Sequence, residues 1–250
     1  MAGQYIEPML RTAPARPPLP QQCEVCRRWA SAGLCADCVG RYAAPRPRCG
    51  QCGLPTGLNL PRCGACLHDT PPFEHTVCAA DYTFPWDRLI TAFKFQGRAE
   101  LAVPLAAQLT AAVCASMQQA PRLAPDAVLA VPLSPQRLRE RGYNQAWELA
   151  RRVAQALALP AEADLLQRPL DTAHQSALTR AERQRNLRTA FMADPQRRAC
   201  LHGRRVALVD DVMTTGATVR EAASVLRRAG AAAVEIWVLA RTPDEPSTDN

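Results

Sequence analysis

Residues Val206 to Val219 read VALVDDVMTTGATV. The apolar run Val206–Val209 is short and β-branched, which predicts a buried strand. Two adjacent carboxylates, Asp210 and Asp211, follow it. A turn of small and hydroxylated residues comes next, Thr214-Thr215-Gly216-Ala217-Thr218, and a helical stretch then runs to about Ala229. A strand feeding such a turn into a helix start makes a cup for an anion. The free amides of the first helical turn and the helix dipole converge on one spot, and threonine hydroxyls add donors. Paired acids on the rim suit the vicinal hydroxyls of a sugar. Helix capping alone explains one threonine or one aspartate, but not acids and hydroxyls crowded after a hydrophobic strand. The pattern asks for a sugar that carries a phosphate. It is not a Walker loop, because no Gly-Lys-Ser/Thr sequence is present.

Around this stretch the periodicity alternates between strand and helix. Thr76 to Phe84 reads as a strand, Trp86 to Phe95 and Leu101 to Met117 as helices, and Asp126 to Val131 as a buried strand closed by Pro132. Tyr143 to Leu159 has the spacing of an amphipathic helix, and Ala233 to Ala240 reads as a last strand. The alternation predicts an α/β fold: a parallel, doubly wound sheet with helices on both faces. Ligands on such sheets gather beyond the carboxyl ends of the strands, here at Asp210 and Val131. The segment after Val131 is expected to be a loop carrying Arg137, Arg139 and Arg141. Guanidinium forks there suit a diphosphate, and the alternative is a solvated surface loop. Arg141 with Gly142-Tyr143-Asn144-Gln145 is the better half of that pattern. Leu165 to Phe191 is rich in arginine, with Arg168, Arg180, Arg183, Arg185 and Arg188. It reads as a lid over a diphosphate, a nucleic-acid surface or a charged helix. His174 within it reads as a polar loop residue.

Eight of the eleven cysteines form four CxxC pairs: Cys23/Cys26, Cys35/Cys38, Cys49/Cys52 and Cys63/Cys66. Two cysteines so spaced can turn both sulfurs onto one ion, and two pairs complete a tetrahedral S₄ site. Zinc is favoured; iron also suits S₄, and a disulfide scaffold would need an oxidising compartment. Sequential sites, Cys23/26/35/38 and Cys49/52/63/66, are preferred to an interleaved cross-brace of Cys23/26/49/52 with Cys35/38/63/66. Closed S₄ sites are structural, so the metals would supply folding energy to a segment too short to bury much core. Cys78, Cys114 and Cys200 read as packing residues, and His68 as solvent-exposed.

At 250 residues the chain is long enough for one α/β core and a small satellite, and its net charge of +7 suits phosphate-bearing ligands or nucleic acid. No run of 18 or more apolar residues is present, so no membrane span is expected and the chain is placed in the cytoplasm. Residues 1–20 and 242–250 read as a disordered leader and tail. Pro71-Pro72 marks the boundary between a double zinc ribbon over 21–70 and an α/β domain over 76–241.

The VDDVMTTGAT stretch resembles the phosphoribosyl-diphosphate (PRPP) signature of type I phosphoribosyltransferases. That resemblance implies that Asp210 and Asp211 hold the ribose and act in catalysis. It implies a PRPP site of Asp210, Asp211, Val212, Met213, Thr214, Thr215, Gly216, Ala217 and Thr218, with Arg139 and Arg141 and with Mg²⁺ on the diphosphate. Across nearly the whole chain the pattern is similar to the ComF family of bacterial proteins. It comprises the Cys-rich front, Phe93-Lys94-Phe95-Gln96-Gly97, Val131-Pro132-Leu133, Arg139 and Arg141–Gln145. It continues with Arg168, Thr172, Gln175, Leu178, Arg183, Asn186 and Phe191, then VDDVMTTGAT. The family implies a role in natural competence and use of external DNA. Two functions follow as expectations: phosphoribosyl transfer from PRPP to an unnamed acceptor, or binding of single-stranded DNA by a non-catalytic nucleotide-sensing module. Sparse aromatics, 5% of residues, argue against extensive base stacking.

Overall fold

The computed structural model describes residues 20–57, 61–120, 122–169 and 190–243. The Cys-rich front consists of strands β1 (Gln21–Gln22) and β2 (Trp29–Ala30) and helices α1 (Ala36–Tyr42) and α2 (Gly64–His68). The α/β part opens with β3 (His75–Asp81), α3 (Trp86–Phe95), α4 (Ala102–Gln119) and β4 (Ala127–Ala130). It continues through α5 (Pro135–Arg141), α6 (Gln145–Ala156), β5 (Ala161–Glu162), β6 (Leu166–Gln167) and β7 (Met192–Ala193). β8 (Arg205–Met213), α7 (Ala217–Arg228) and β9 (Ala233–Arg241) complete it.

Five strands form one sheet in the order β3-β9-β8-β4-β5, and every pairing in it is parallel. Parallel crossovers are right-handed, which fixes the layers. The chain moves one way across the sheet from β3 through α4 to β4 and from β4 through α6 to β5. It moves the other way from β8 through α7 to β9. α4 and α6 therefore cover one face, where they pack on each other, and α7 covers the opposite face. Strands buried on both sides are mostly apolar, and all nine residues of β9 are buried, the two charged ones, Glu235 and Arg241, with partners of opposite charge or carbonyl acceptors.

Amphipathic spacing holds the helices on. α6 buries Ala146, Leu149, Ala150 and Val153, and α7 buries Val219, Ala222, Ala223 and Leu226. Each fully buried Leu or Val contributes roughly 1.5–3 kcal/mol of transfer free energy. Ala99–Gln119 is the one stretch among the described residues long and apolar enough to cross a bilayer by length and composition. Its apolar character is used in the core, where Leu105, Leu109 and Val113 are buried beside β3 and α6.

Two sequence expectations require correction. The strand expected over Val206–Val209 continues through both acids to Met213, because β9 keeps pairing with it, Asp210 opposite Val238 and Met213 opposite Arg241. The arginine segment after Val131 is helical rather than a loop. Ser134 caps α5 by accepting from the Arg137 amide at 3.4 Å, Pro135 pre-sets the first turn, and Gly142 ends the helix at φ +78°. The short β5 and the β6–β7 pair carried too little periodicity to be read from sequence.

Candidate functional site

β8 and β4 are neighbours, yet the chain leaves them toward opposite edges of the sheet. Their carboxyl ends therefore splay around a crevice, the topological switch point where ligands sit in open α/β sheets. The loop and helix after Val131 form one wall, and the turn from Met213 to Gly216 forms the other.

Gly216 opens α7 in the left-handed region at φ +80°, and a Cβ there would lie 2.6 Å from Met213 Cε. Positive φ favours glycine here, and a Cβ would in addition push the terminal methyl of Met213 aside. Met213 is buried beneath the turn. The Ala217 amide donates to Thr215 Oγ1 at 3.4 Å. Among the described residues, no protein group accepts from the amides of Thr214, Thr215, Gly216 or Thr218. Several free donors at the positive end of a 12-residue helix make an anion cup.

The two acids alternate across β8, so they point to opposite faces of the strand. Asp211 is 7% exposed and pairs with Lys94 Nζ at 2.7 Å. Asp210 accepts from the Asp211 amide at 2.8 Å. Burial, and then the Asp211 carboxylate, push Asp210 up to about 7, against the pull of Lys94, the Asp211 amide and Arg168. One carboxylate is neutralised by a cation and the other is poised to change charge near neutrality.

Lys94 was missed as a site residue, although it is the only lysine among 30 basic residues and lies in the Phe93–Gly97 stretch. Its neighbours explain its placement. Tyr143 Oη donates to the Phe93 carbonyl, and the Phe93 and Tyr143 ring centroids are 5.6 Å apart. Arg141 lies over the exposed Phe95 ring at 4.8 Å and donates to Gln145 Oε1 at 3.0 Å. Asn144 Nδ2 donates to the Val131 carbonyl at 3.1 Å while its Oδ1 caps α6. The Phe93–Phe95 and Arg141–Gln145 segments are thus fastened to each other and to the end of β4. Burial, with Arg137 nearby, lowers the Arg141 pKa, and Asp211 and Asp210 oppose that shift. Arg139 is exposed, and two positions along a helix from Arg141 it faces elsewhere. Arg168 lies over the Phe191 ring at 5.2 Å. Thr172, His174, Gln175, Leu178, Arg180, Arg183, Arg185, Asn186 and Arg188 lie outside the described residues.

The eight CxxC thiols gather into two groups, Cys23/Cys26/Cys35/Cys38 and Cys49/Cys52/Cys63/Cys66, with all sulfurs of a group within 4.8 Å of one another. The pairing is sequential, as preferred over the cross-brace. The Cys35 amide donates to Cys23 Sγ at 3.4 Å, and the Cys63 amide to Cys49 Sγ at 3.2 Å. Burial opposes ionisation of Cys23, but the amides of Cys26, Cys35 and Val25 outweigh it and bring the thiol down to about 6. Cys49 comes down to about 7 in the same way, through Cys52, Cys63 and Gln51. Burial and neighbouring thiols push Cys38 and Cys66 up. One ready thiolate among suppressed neighbours is a donor set that a thiophilic cation such as zinc would complete. Gly53, after the second group's first pair, has φ +70°, and Arg27 holds the equivalent place in the first group at φ +62°.

The phosphoribosyl transferase domain model matches residues 144–250. The DNA utilization protein YhgH of Escherichia coli (strain K12) is 37% identical over 231 residues, covering 90% of this chain and 98% of that protein. Competence protein F of Haemophilus influenzae is 35% identical over 212 residues, covering 85% of this chain and 92% of that protein. Among solved structures, a purine phosphoribosyltransferase from Pyrococcus horikoshii is 17% identical with a TM-score of 0.34, covering 57% of this chain and 78% of that one.

Proposed function

The chain belongs to the ComF family, and from that premise we propose that it binds PRPP, or a closely related phosphorylated pentose, at the carboxyl end of its sheet and serves the use of DNA. The carrying observation is the combination at the end of β8: two carboxylates in different environments, followed within one turn by a helix start whose amides are free among the described residues. In this role the Thr214–Thr218 amides and hydroxyls take the 5′-phosphate. Asp210 and Asp211 accept from the ribose hydroxyls. Arg141 and Lys94 face the diphosphate with Mg²⁺, whereas Arg139 is turned away. Transfer of the phosphoribosyl group would need charge stabilisation and positioning more than a strong base, which is what this set of groups offers. Zinc would fill both thiol groups as a structural ion.

Calorimetry with PRPP, with and without Mg²⁺, tests the proposal. Asp211→Asn keeps the shape and an acceptor for Lys94 but removes the charge. Affinity is expected to fall about tenfold or more, about 1.4 kcal/mol, with an unchanged circular dichroism spectrum. A wild-type protein that takes up no PRPP under any Mg²⁺ concentration would overturn it.

A further inference from the structure

We infer that Arg241 is a positioning residue through which the Cys49/Cys52/Cys63/Cys66 centre sets the shape of the Met213–Gly216 turn. Arg241 ends β9, between Met213 of β8 and Asp81 of β3, and is 5% exposed. Its Nε donates to the Cys52 carbonyl at 3.2 Å. Its Nη1 donates to the Met213 carbonyl at 3.1 Å, to the Thr242 carbonyl at 2.8 Å and to the Thr214 carbonyl. One guanidinium therefore spans from the Cys49/Cys52 pair to the turn that opens α7.

Peptide geometry turns these contacts into a statement about the cup. A trans peptide is planar, and its C=O and N–H point in opposite directions. The Met213 carbonyl shares a plane with the Thr214 amide, and the Thr214 carbonyl with the Thr215 amide. Drawing both carbonyls inward onto Arg241 aims both amides outward, into the crevice. Without those donors the Thr214 carbonyl would lose its partner, at about 1–3 kcal/mol, the Met213 carbonyl would keep only the Thr242 amide at 3.1 Å, and the turn would rotate to relieve the loss.

The other end of the strut is equally fixed. Gly50 and Gln51, inside the second knuckle, accept from Thr76 of β3: its amide reaches the Gly50 carbonyl at 2.9 Å and its hydroxyl the Gln51 carbonyl at 2.6 Å. Arg48 donates to the Gly53 carbonyl at 3.1 Å and pairs with Asp81 at 2.7 Å. The backbone on both sides of the Cys52 carbonyl is thus fastened to the sheet edge. The first Cys group docks elsewhere, through Glu24 and Arg98 at 3.0 Å, and supplies an internal control.

The test is ¹⁵N relaxation on the full zinc-loaded chain, reading the order parameters of Thr214, Thr215 and Gly216. Arg241→Met and Cys52→Ser should each lower them from about 0.85 to below about 0.6, Arg241→Lys should fall between, and Cys26→Ser should leave them unchanged. Unchanged circular dichroism and an unchanged amide spectrum for β4 keep general unfolding apart from a local effect. If Cys26→Ser and Cys52→Ser loosen the turn equally, or if Arg241→Met leaves it rigid, the strut is refuted. A second arm, PRPP calorimetry, rests on the proposed phosphate role and should show about a tenfold loss for Arg241→Met. Wild-type protein that binds no PRPP would sink that role, while the relaxation data would still decide the strut.

Discussion

Asp210 and Asp211 share a peptide bond and face opposite sides of β8, so each meets different neighbours. Asp211 has Lys94 at 2.7 Å; Asp210 has burial and an adjacent carboxylate, and sits at about 7 rather than the usual 3.8. Between those two values the native state holds a proton that the unfolded chain has released. The stability carried by this group is therefore complete below about pH 4 and is lost as pH rises through about 7. Asp210→Asn cannot ionise and escapes that loss. Its stability relative to wild type, measured by urea titration, should improve by about 2–3 kcal/mol from pH 5 to pH 8. A difference that is flat across this window would show that Asp210 titrates normally. The sequence made the two acids conspicuous. It did not separate their roles, because the separating groups, Lys94 and Arg168, come from distant parts of the chain.

Among the elements, β8, the turn and α7 were the most legible, because an apolar run, a glycine and a helical spacing each act over a few residues. The extension of β8 through the acids was not legible, since polar residues in a strand are tolerated only once a partner such as β9 supplies the ladder. α5 was readable in retrospect from Ser134, Pro135 and Gly142, a cap, a first-turn proline and a left-handed terminus. The run of arginines between them drew the expectation toward a loop. At the turn itself Gly216→Ala should cost about 1–3 kcal/mol in urea unfolding, from positive φ and the approach of Met213. It should also weaken PRPP binding. Stability within about 0.3 kcal/mol of wild type would mean that the turn relaxes freely.

At the scale of the whole molecule, the thiol-rich front is fastened to the α/β core at several points. Arg98 meets Glu24, Trp86 Nε1 donates to the Tyr42 carbonyl at 2.7 Å, and Arg241 meets Cys52. A front anchored in this way should not melt independently. Removing metal with a strong chelator is expected to lower the Tm of a single calorimetric transition by 10 °C or roughly that amount. Two separated transitions in the metal-loaded protein would contradict such coupling. By itself the sequence determined the strand–acid–turn–helix unit, the parallel α/β class and the four CxxC pairs, because periodicity, glycine and CxxC spacing act within short stretches of chain. Only the tertiary structure decided that Lys94 meets Asp211, that Arg139 turns away while Arg141 lies over Phe95 and bonds Gln145, and that Arg241 joins a knuckle to the turn. Those contacts exist only when strand order and crossover hand bring remote segments to one end of the sheet.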